Sequence, residues 1–236
     1  MIHEKINYQE HRWIVCGDFK MLTMLLGHHA GYTKYSCFLC LWDSRARSLH
    51  WTKTDWSLRG ALTPGEKKVI NITLVPPEKV LLPPLHIKLG LMKQFIKSVP
   101  KDGECFRYLC SKFPKLSEAN LKERVFTVPN IRKVLSDSLF SETMEDKEKE
   151  TWGSFKDAVH RFLENTKDPL NKIIAQRMLT VYEAQGCKMN LKAHFLLSHI
   201  DCFPENFGAY SEEQGERFYQ DVHDIERRYQ GRWDAS

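Results

Sequence analysis

The hydrophobic pattern divides the chain into a short front part and a long helical part behind it. Trp13 to Cys16 form a short apolar run that suits a buried strand, and Met21 to Leu26 form a second run that fits either strand or helix. From Leu41 to Pro84 the chain is irregular and rich in tryptophan and proline, which predicts a long ordered loop with one short strand at Asn71 to Val75.

Beyond Pro84, apolar residues recur every three or four positions, which predicts amphipathic helices. Pro114 and Pro129 separate shorter helices from longer ones. The charged stretch from Ser141 to Trp152 is expected to be a solvated loop leading into a helix at Trp152. The fold class is therefore mainly α with a small α/β segment at the front. The helical stretches are marked by Leu85, Leu89, Met92, Ile96 and Val99, by Trp152, Phe155, Val159 and Phe162, and by Leu170, Ile173, Ile174, Val181 and Tyr182.

Composition narrows the class of protein without selecting a function. The 236 residues are 42% hydrophobic and 28% charged, as in an ordinary globular chain, and the net charge of +5 permits nucleic acid as a partner without requiring it. The seven cysteines are an odd number, and no signal-peptide pattern or long apolar run is present. We therefore expect no membrane association, no secretion and a reducing compartment.

Two pairs of residues have the spacing of metal ligands. Cys37 and Cys40 form a C-x-x-C pair, and His194 and His199 lie far along the chain with four residues between them. On a regular helix these two histidines point about 140° apart, so they can share one ion only if the helix ends or distorts between them. Pro204 favours such an ending. The alternative is that the cysteines are ordinary buried thiols and the histidines are polar surface residues.

Two carboxylates are candidates for catalysis. Asp18 follows the predicted buried strand, where an acidic residue serves either as a functional carboxylate or as a helix cap. Glu212 lies in the first turn of a helix that Ser211 can cap, a position that the helix dipole alone also favours. Glu213 is adjacent, only about 100° further around the helix, so the two glutamates are not distinguished. Sets of three carboxylates that hold two divalent cations are used to cut phosphodiesters.

The order of these motifs is similar to the second half of the DDE recombinases of the RAG and Transib type. The shared order is "CGD", "CFLC", "PPLHIKLG", "HFLLSH" and "SEEQGE". The segments "GYTKYSCFLCLWDSR" and "EQGERFYQD" more closely resemble a group of transposon-derived proteins of invertebrate genomes. The resemblance covers most of the chain, from about Trp13 to Trp233.

This resemblance implies an RNase H-like core that is interrupted by a helical, zinc-bound insertion. Asp18 matches the second catalytic aspartate, and Glu212 matches the final glutamate. His86, in "LHIKLG", is read as a packing residue and only an outside candidate for the site. Such a core would use Mg²⁺ or Mn²⁺ to cleave DNA and transfer strands, whereas zinc would be structural. The implied zinc ligands are Cys37, Cys40, His194 and His199.

The predicted division has three parts. Residues 1–40 carry the partial RNase H-like segment and the cysteines, residues 41–190 carry the loop and helical insertion, and residues 191–236 carry the histidines and the glutamate helix. Only about 17 residues precede Asp18, too few for the three strands and first aspartate of such a core. We therefore expect a truncated copy or a domesticated remnant whose catalytic set is incomplete, which leaves enzyme activity open.

Two other interpretations stay open. The chain could be a non-enzymatic, zinc-stabilised helical domain that binds DNA or a partner protein through basic residues near its tryptophan-rich loop. It could also be a remnant that only folds around its metal. DNA is the expected partner, together with a second copy or a related transposase, and the nucleus is the expected location, otherwise the cytoplasm. The basic candidates are Arg45, Arg47, Lys53 and Arg59.

Overall fold

The computed structural model describes residues 14–29, 31, 33–114, 127–164, 166–206, 222 and 225. Within these residues the fold is mainly helical, as predicted. None of the described helices has the length and apolar character that a membrane crossing requires. The described α-helices are α1 (Phe19–Leu25), α2 (Pro84–Ser98), α3 (Glu104–Lys112), α4 (Val128–Leu135), α5 (Ser138–Glu142), α6 (Asp146–Ala158), α7 (Asn171–Ala184) and α8 (Leu191–Ser198).

Shorter helical turns join these elements. Three 3₁₀ turns span Arg47–Leu49, Pro77–Lys79 and Ile200–Cys202, and α6 continues into a π-helical turn at Val159–Leu163.

The predicted strand at the front is reduced to one bridge in the described residues. Val15 pairs in parallel with Val80, through its amide to the Lys79 carbonyl at 2.7 Å and its carbonyl to the Leu81 amide at 2.9 Å. Ile14 is 52% exposed and Val15 and Cys16 are half-buried, so the expectation of a buried strand is wrong for residues 14–16, while Trp13 lies outside the described residues. The second apolar run is helical and forms α1, because Asp18 caps it and Leu22 turns into the core.

The stretch Asn71 to Val75 is not a strand, contrary to the prediction from its β-branched residues. Its amides bond instead to the end of α1: Asn71 donates to the Gly27 carbonyl at 3.1 Å and Leu74 donates to the Leu25 carbonyl at 2.7 Å. Gly27 has φ +65°, and a Cβ there would lie 2.1 Å from the Asn71 carbonyl oxygen. The close backbone approach therefore requires glycine.

The charged stretch from Ser141 to Trp152 is mostly helical, so the expectation of a solvated loop is wrong. α6 begins at Asp146, six residues before Trp152, because Glu145 and Glu148 form a capping box in which the Glu148 carboxylate accepts from the Glu145 amide at 3.0 Å. Glu148 is only 4% exposed. The charges in this stretch mark a helix start, which charge density alone does not reveal.

Aromatic side chains from three helices form the centre of the helical block. The Trp152 ring on α6 lies 5.6 Å from Phe95 on α2, 5.0 Å from Phe140 on α5 and 5.5 Å from Phe155. α6 packs along α7, and α2 packs against α8. The ammonium of Lys88 is buried and bonds to the Glu164 carboxylate at 2.5 Å, which ties α2 to the residue that follows the π-helical turn.

His28 fastens the loop to the end of α1. It bridges to Val69, it is 5% exposed, and its Nε2 has no hydrogen-bond partner among the residues that the structure describes. Burial, assisted by the positive charge of Arg59, lowers the pKa of His28 to about 4. The neutral imidazole is therefore the form that the folded chain accommodates.

We predict that His28 makes the fold sensitive to mild acid. Its contribution is complete above pH 6.5, the pKa in the unfolded chain, and is lost as the pH falls towards 4, because the unfolded chain takes up the proton first. In urea unfolding over this range, the unaltered chain should lose up to about 1.4 kcal/mol per pH unit more than His28→Leu. Parallel pH curves for the two chains would contradict this.

Candidate metal centre

The end of α8 brings the two histidines to one side. His194 lies within the helix, which ends at Ser198, and His199 has φ −134° and ψ 26°, outside the helical region. The two imidazole rings lie 5.2 Å apart and nearly perpendicular. The two histidines were expected to share an ion only if the helix ends between them, and it ends at Ser198, one residue before His199.

The two cysteines sit on a turn that is held from both sides. The Leu39 amide donates to the Cys37 sulfur at 3.4 Å, and Cys40 bridges antiparallel to Leu58. The Arg59 amide in turn donates to the Leu39 carbonyl at 3.0 Å. This short pairing with residues 57–59 orients both thiols towards α8.

All four predicted ligands come together in the interior. Their ligand atoms lie within 4.8 Å of one another. The Cys40 sulfur is 3.2 Å from His194 Nε2 and 3.3 Å from His199 Nε2, and the Cys37 sulfur is 3.5 Å from His199 Nε2. A tetrahedral zinc ion with ordinary bond lengths separates sulfur and nitrogen ligands by roughly 3.5 Å. The group therefore fits one zinc ion.

Burial indicates which kind of zinc site this cluster fits. Cys37 and Cys40 are fully buried, His194 is 1% exposed and His199 is 6% exposed. A catalytic zinc ion keeps one position open for water or substrate, whereas a structural zinc ion has four protein ligands. Four buried protein ligands match the structural type.

The protonation states are those of a cluster that favours a cation. Hydrogen bonding from Cys37, followed by that from the two histidines, lowers the pKa of Cys40 to about 3 against the effect of burial. Burial and the Cys40 charge raise the pKa of Cys37, so the pair favours a single thiolate on Cys40. Burial lowers the pKa of His194. Burial also acts to lower that of His199, but hydrogen bonds to Cys202 and Cys40 raise it to about 9. A divalent cation must displace the protons that remain on these four side chains, so the affinity of the cluster for the metal should fall as the pH falls.

Neighbouring groups fix the orientation of His194. Its Nδ1 lies 3.3 Å from the Ser198 hydroxyl, which leaves Nε2 directed at Cys40. The indole of Trp42 stacks on the imidazole at 4.8 Å and 12°, and the His50 ring lies 5.0 Å from the Trp42 ring. Such contacts select the tautomer that binds metal.

Arg59 supports the cysteine turn, a role that the sequence does not reveal. Its Nε donates to the Cys37 carbonyl at 2.8 Å, and its Nη2 donates to the Tyr35 carbonyl at 3.0 Å. The guanidinium therefore points inward, which speaks against its use as a DNA contact. Arg45 and Arg47, from the same set of basic candidates, are exposed.

Asp18 lies just before α1 as its N-cap, next to Phe19 in the sequence. The Asp18 carboxylate is exposed and accepts the Met21 amide at 2.6 Å, so it caps the helix. The Phe19 ring stacks on Phe195 at 5.6 Å and meets His86 edge-on at 6.4 Å. Phe195 is the neighbour of His194 in α8. Glu212 lies outside the described residues, so its distance from Asp18 stays a prediction.

We predict that Arg59→Gln weakens zinc binding by about tenfold, because residues that orient metal ligands typically contribute 10- to 100-fold to affinity. Competition with a chromophoric chelator measures the constant. Arg47→Gln removes an exposed charge from the same loop and should leave the affinity unchanged. Equal affinities for both variants would show that Arg59 does not orient the cysteine turn.

Two family matches cover parts of the chain. Residues 1–75 match a family described as "Domain of unknown function (DUF8703)", and residues 84–164 match one described as "Domain of unknown function (DUF8704)". The cysteine pair lies in the first match, the second begins with α2, and the two histidines lie beyond both. Comparison with curated proteins and with solved structures gave no match.

Proposed function

We propose that this chain is a zinc-clamped region of a transposon-derived, DDE recombinase-like protein that acts on DNA phosphodiesters. In this proposal zinc is structural, and the chemistry belongs to Asp18 and Glu212 on an RNase H-like core. The observation that carries the proposal is the buried cluster of four ligands, because it joins segments 154 to 162 residues apart. Its ligands fall between Asp18 and Glu212 in the sequence, in the order that the resemblance implies.

The zinc ion would be held by both cysteines and both histidines. It would supply no reaction chemistry, since the buried cluster offers no place for a substrate. Its effect is to fix the cysteine turn, and with it the loop of residues 41–75, against α8. The stacking of Phe19 on Phe195 then holds the start of α1 against the same helix.

Asp18 is placed where a carboxylate can meet a ligand from solvent. It is exposed, and one of its oxygens accepts the Met21 amide, which leaves the other oxygen available as far as the described residues go. A divalent cation bound by carboxylates of this kind activates the attacking oxygen and stabilises the leaving oxygen of a phosphodiester. Asp18 would hold such a cation together with Glu212.

A second candidate is a zinc-stabilised domain that binds DNA without cutting it. Exposed Arg45 and Arg47 lie just after the cysteine turn, and the Lys53 ammonium lies 5.2 Å from the Trp56 ring nearby. Cations interleaved with aromatic side chains suit phosphate and base contacts.

A second copy or a related transposase is the protein partner that fits the first proposal.

We predict that the purified chain carries about one equivalent of zinc and that Cys37→Ser with Cys40→Ser abolishes it. The double variant should unfold at a lower temperature than the unaltered chain, because the loop and α8 are no longer joined. Metal analysis and thermal unfolding followed by circular dichroism measure the two effects. The control is Cys16→Ser with Cys110→Ser, which changes two half-buried cysteines outside the cluster. Full stability of the first pair without zinc would contradict a structural role.

We predict that Asp18→Asn separates catalysis from capping. Asparagine caps helices as well as aspartate does, so stability should change by less than about 0.5 kcal/mol, whereas Asp18→Ala should lose about 1 kcal/mol. If Asp18 holds Mg²⁺ or Mn²⁺, both variants lose metal-dependent cleavage of labelled DNA. Cleavage that Asp18→Asn retains would assign Asp18 to capping alone. DNA binding without any cleavage by the unaltered chain would favour the second candidate.

A further inference from the structure

A turn in the loop of residues 41–75 carries two lysines in a backbone conformation that lysine rarely adopts. Lys67 has φ +44° and Lys68 has φ +73°, and among the described residues they alone, besides glycines, have a positive φ. The Val69 amide donates to the Glu66 carbonyl at 2.8 Å, so residues 66–69 form a tight turn with the lysines at its two central positions. A turn with positive φ at both positions ordinarily has Asn-Gly or Asp-Gly there, because a long side chain makes this backbone strained.

Contacts with the rest of the fold hold the turn in this conformation. Arg59 Nη2 donates to the Lys67 carbonyl at 3.3 Å, and the His29 amide donates to the Lys68 carbonyl at 2.9 Å. The same guanidinium donates through Nε to the Cys37 carbonyl at 2.8 Å, which fixes the lysine turn to the cysteine turn of the metal centre. The strained conformation is therefore imposed by the surrounding structure.

The hydrogen-bond donors of the two lysines face solvent. Both residues are exposed, and within the described chain neither ammonium has a carboxylate partner and neither backbone amide has an acceptor. The Arg59 guanidinium behind the turn adds a third positive charge, whereas exposed Glu66 adds one negative charge. The turn is thus net positive and has unused donors. By contrast, carboxylates pair with Lys34, Lys88, Lys112 and Lys172.

The strain and the unused donors together indicate that the lysine side chains serve binding. Arg59 and His29 contact only backbone carbonyls, so Asn-Gly would keep the same hydrogen bonds without the strain. Residues held in such a conformation are typical of sites that bind a ligand.

We propose that Lys67 and Lys68 bind backbone phosphates of DNA, with each ammonium contacting one phosphate. Adjoining phosphates of one strand supply the pair of negative charges that two neighbouring lysines match, and the lysine ammonium is a common phosphate ligand. This inference rests on the proposed function, in which the chain meets DNA. It adds a turn that positions the substrate strand and that Arg59 joins to the zinc-binding cysteines.

The experiment compares the full chain, loaded with zinc, with the double variant Lys67→Asn and Lys68→Gly, which removes the strain and the charges together. This variant should keep its zinc and unfold about 2 to 4 °C higher. It should bind a fluorescent DNA duplex roughly sixtyfold more weakly at 0.1 M salt, with a salt slope smaller by about 1.8, because two phosphate contacts are lost.

Two matched variants serve as controls. Lys67→Arg with Lys68→Arg keeps both the charges and the strain, so its stability, affinity and salt slope should match those of the unaltered chain. Lys101→Gln with Lys188→Gln removes two exposed lysines outside the loop and should leave DNA binding unchanged. An equal loss of affinity in this second pair would assign binding to overall charge and overturn the turn as a site.

The remaining outcomes separate this inference from the proposed function. If the Asn and Gly variant binds DNA with unchanged affinity and slope, the phosphate contact is wrong and the proposed function stands. If that variant unfolds at a lower temperature, the argument from strain is overturned. If the unaltered chain does not bind DNA, both proposals fail. Stabilisation by inorganic phosphate at constant ionic strength, lost in the same variant and unaccompanied by DNA binding, would assign the turn to a free anion and overturn the phosphodiester.

Discussion

Four buried side chains that together favour a cation are the constraint on which the front of this molecule depends. The Cys37 and Cys40 sulfurs meet the His194 and His199 rings across 154 to 162 residues of chain. Closing a flexible loop of this length costs about 4 to 5 kcal/mol, whereas structural zinc contributes apparent binding energies of about 10 to 16 kcal/mol. The free energy of zinc binding therefore exceeds the cost of holding the cysteine turn against α8.

The two parts of the fold depend on this constraint to different degrees. The helical block has its own core, in which Trp152 contacts Phe95, Phe140 and Phe155. The loop of residues 41–75 has turn hydrogen bonds of its own but no described α-helix, and contacts such as those of Gly27 with the stretch after Val69 and of Arg59 with the cysteine turn hold it in place. Without the metal, the loop should be the first part to lose its structure.

The sequence was informative where a pattern has one physical meaning. Periodic apolar residues identified α2 and α7, and ligand spacing identified the cluster, including the need for α8 to end before His199. The prediction from sequence failed in two stretches, one determined by a long-range contact and the other by a local helix cap. The β-branched stretch Asn71 to Val75 bonds to the end of α1 instead of forming a strand, and a capping box turned the charged stretch after Met144 into helix.

Residues whose roles depend on distant contacts could not be identified from the sequence either. Arg59 is one of several arginines near the tryptophans, and only the fold shows that it donates to the Cys37 carbonyl. Lys192 is an ordinary lysine in the sequence, and only the fold shows Gly90 and Phe19 around its side chain. Neither residue carries a spacing signal, because the groups that they contact lie far away in the sequence or belong to the backbone.

X-ray absorption at the zinc edge tests the central claim most directly, because it counts the ligand types at the metal of the purified chain. We expect two sulfur ligands at about 2.3 Å and two nitrogen ligands at about 2.0 Å, with no water bound to the zinc ion. A shell of oxygen and nitrogen alone, or a shell that includes water, would contradict the structural clamp from which the rest of the account follows.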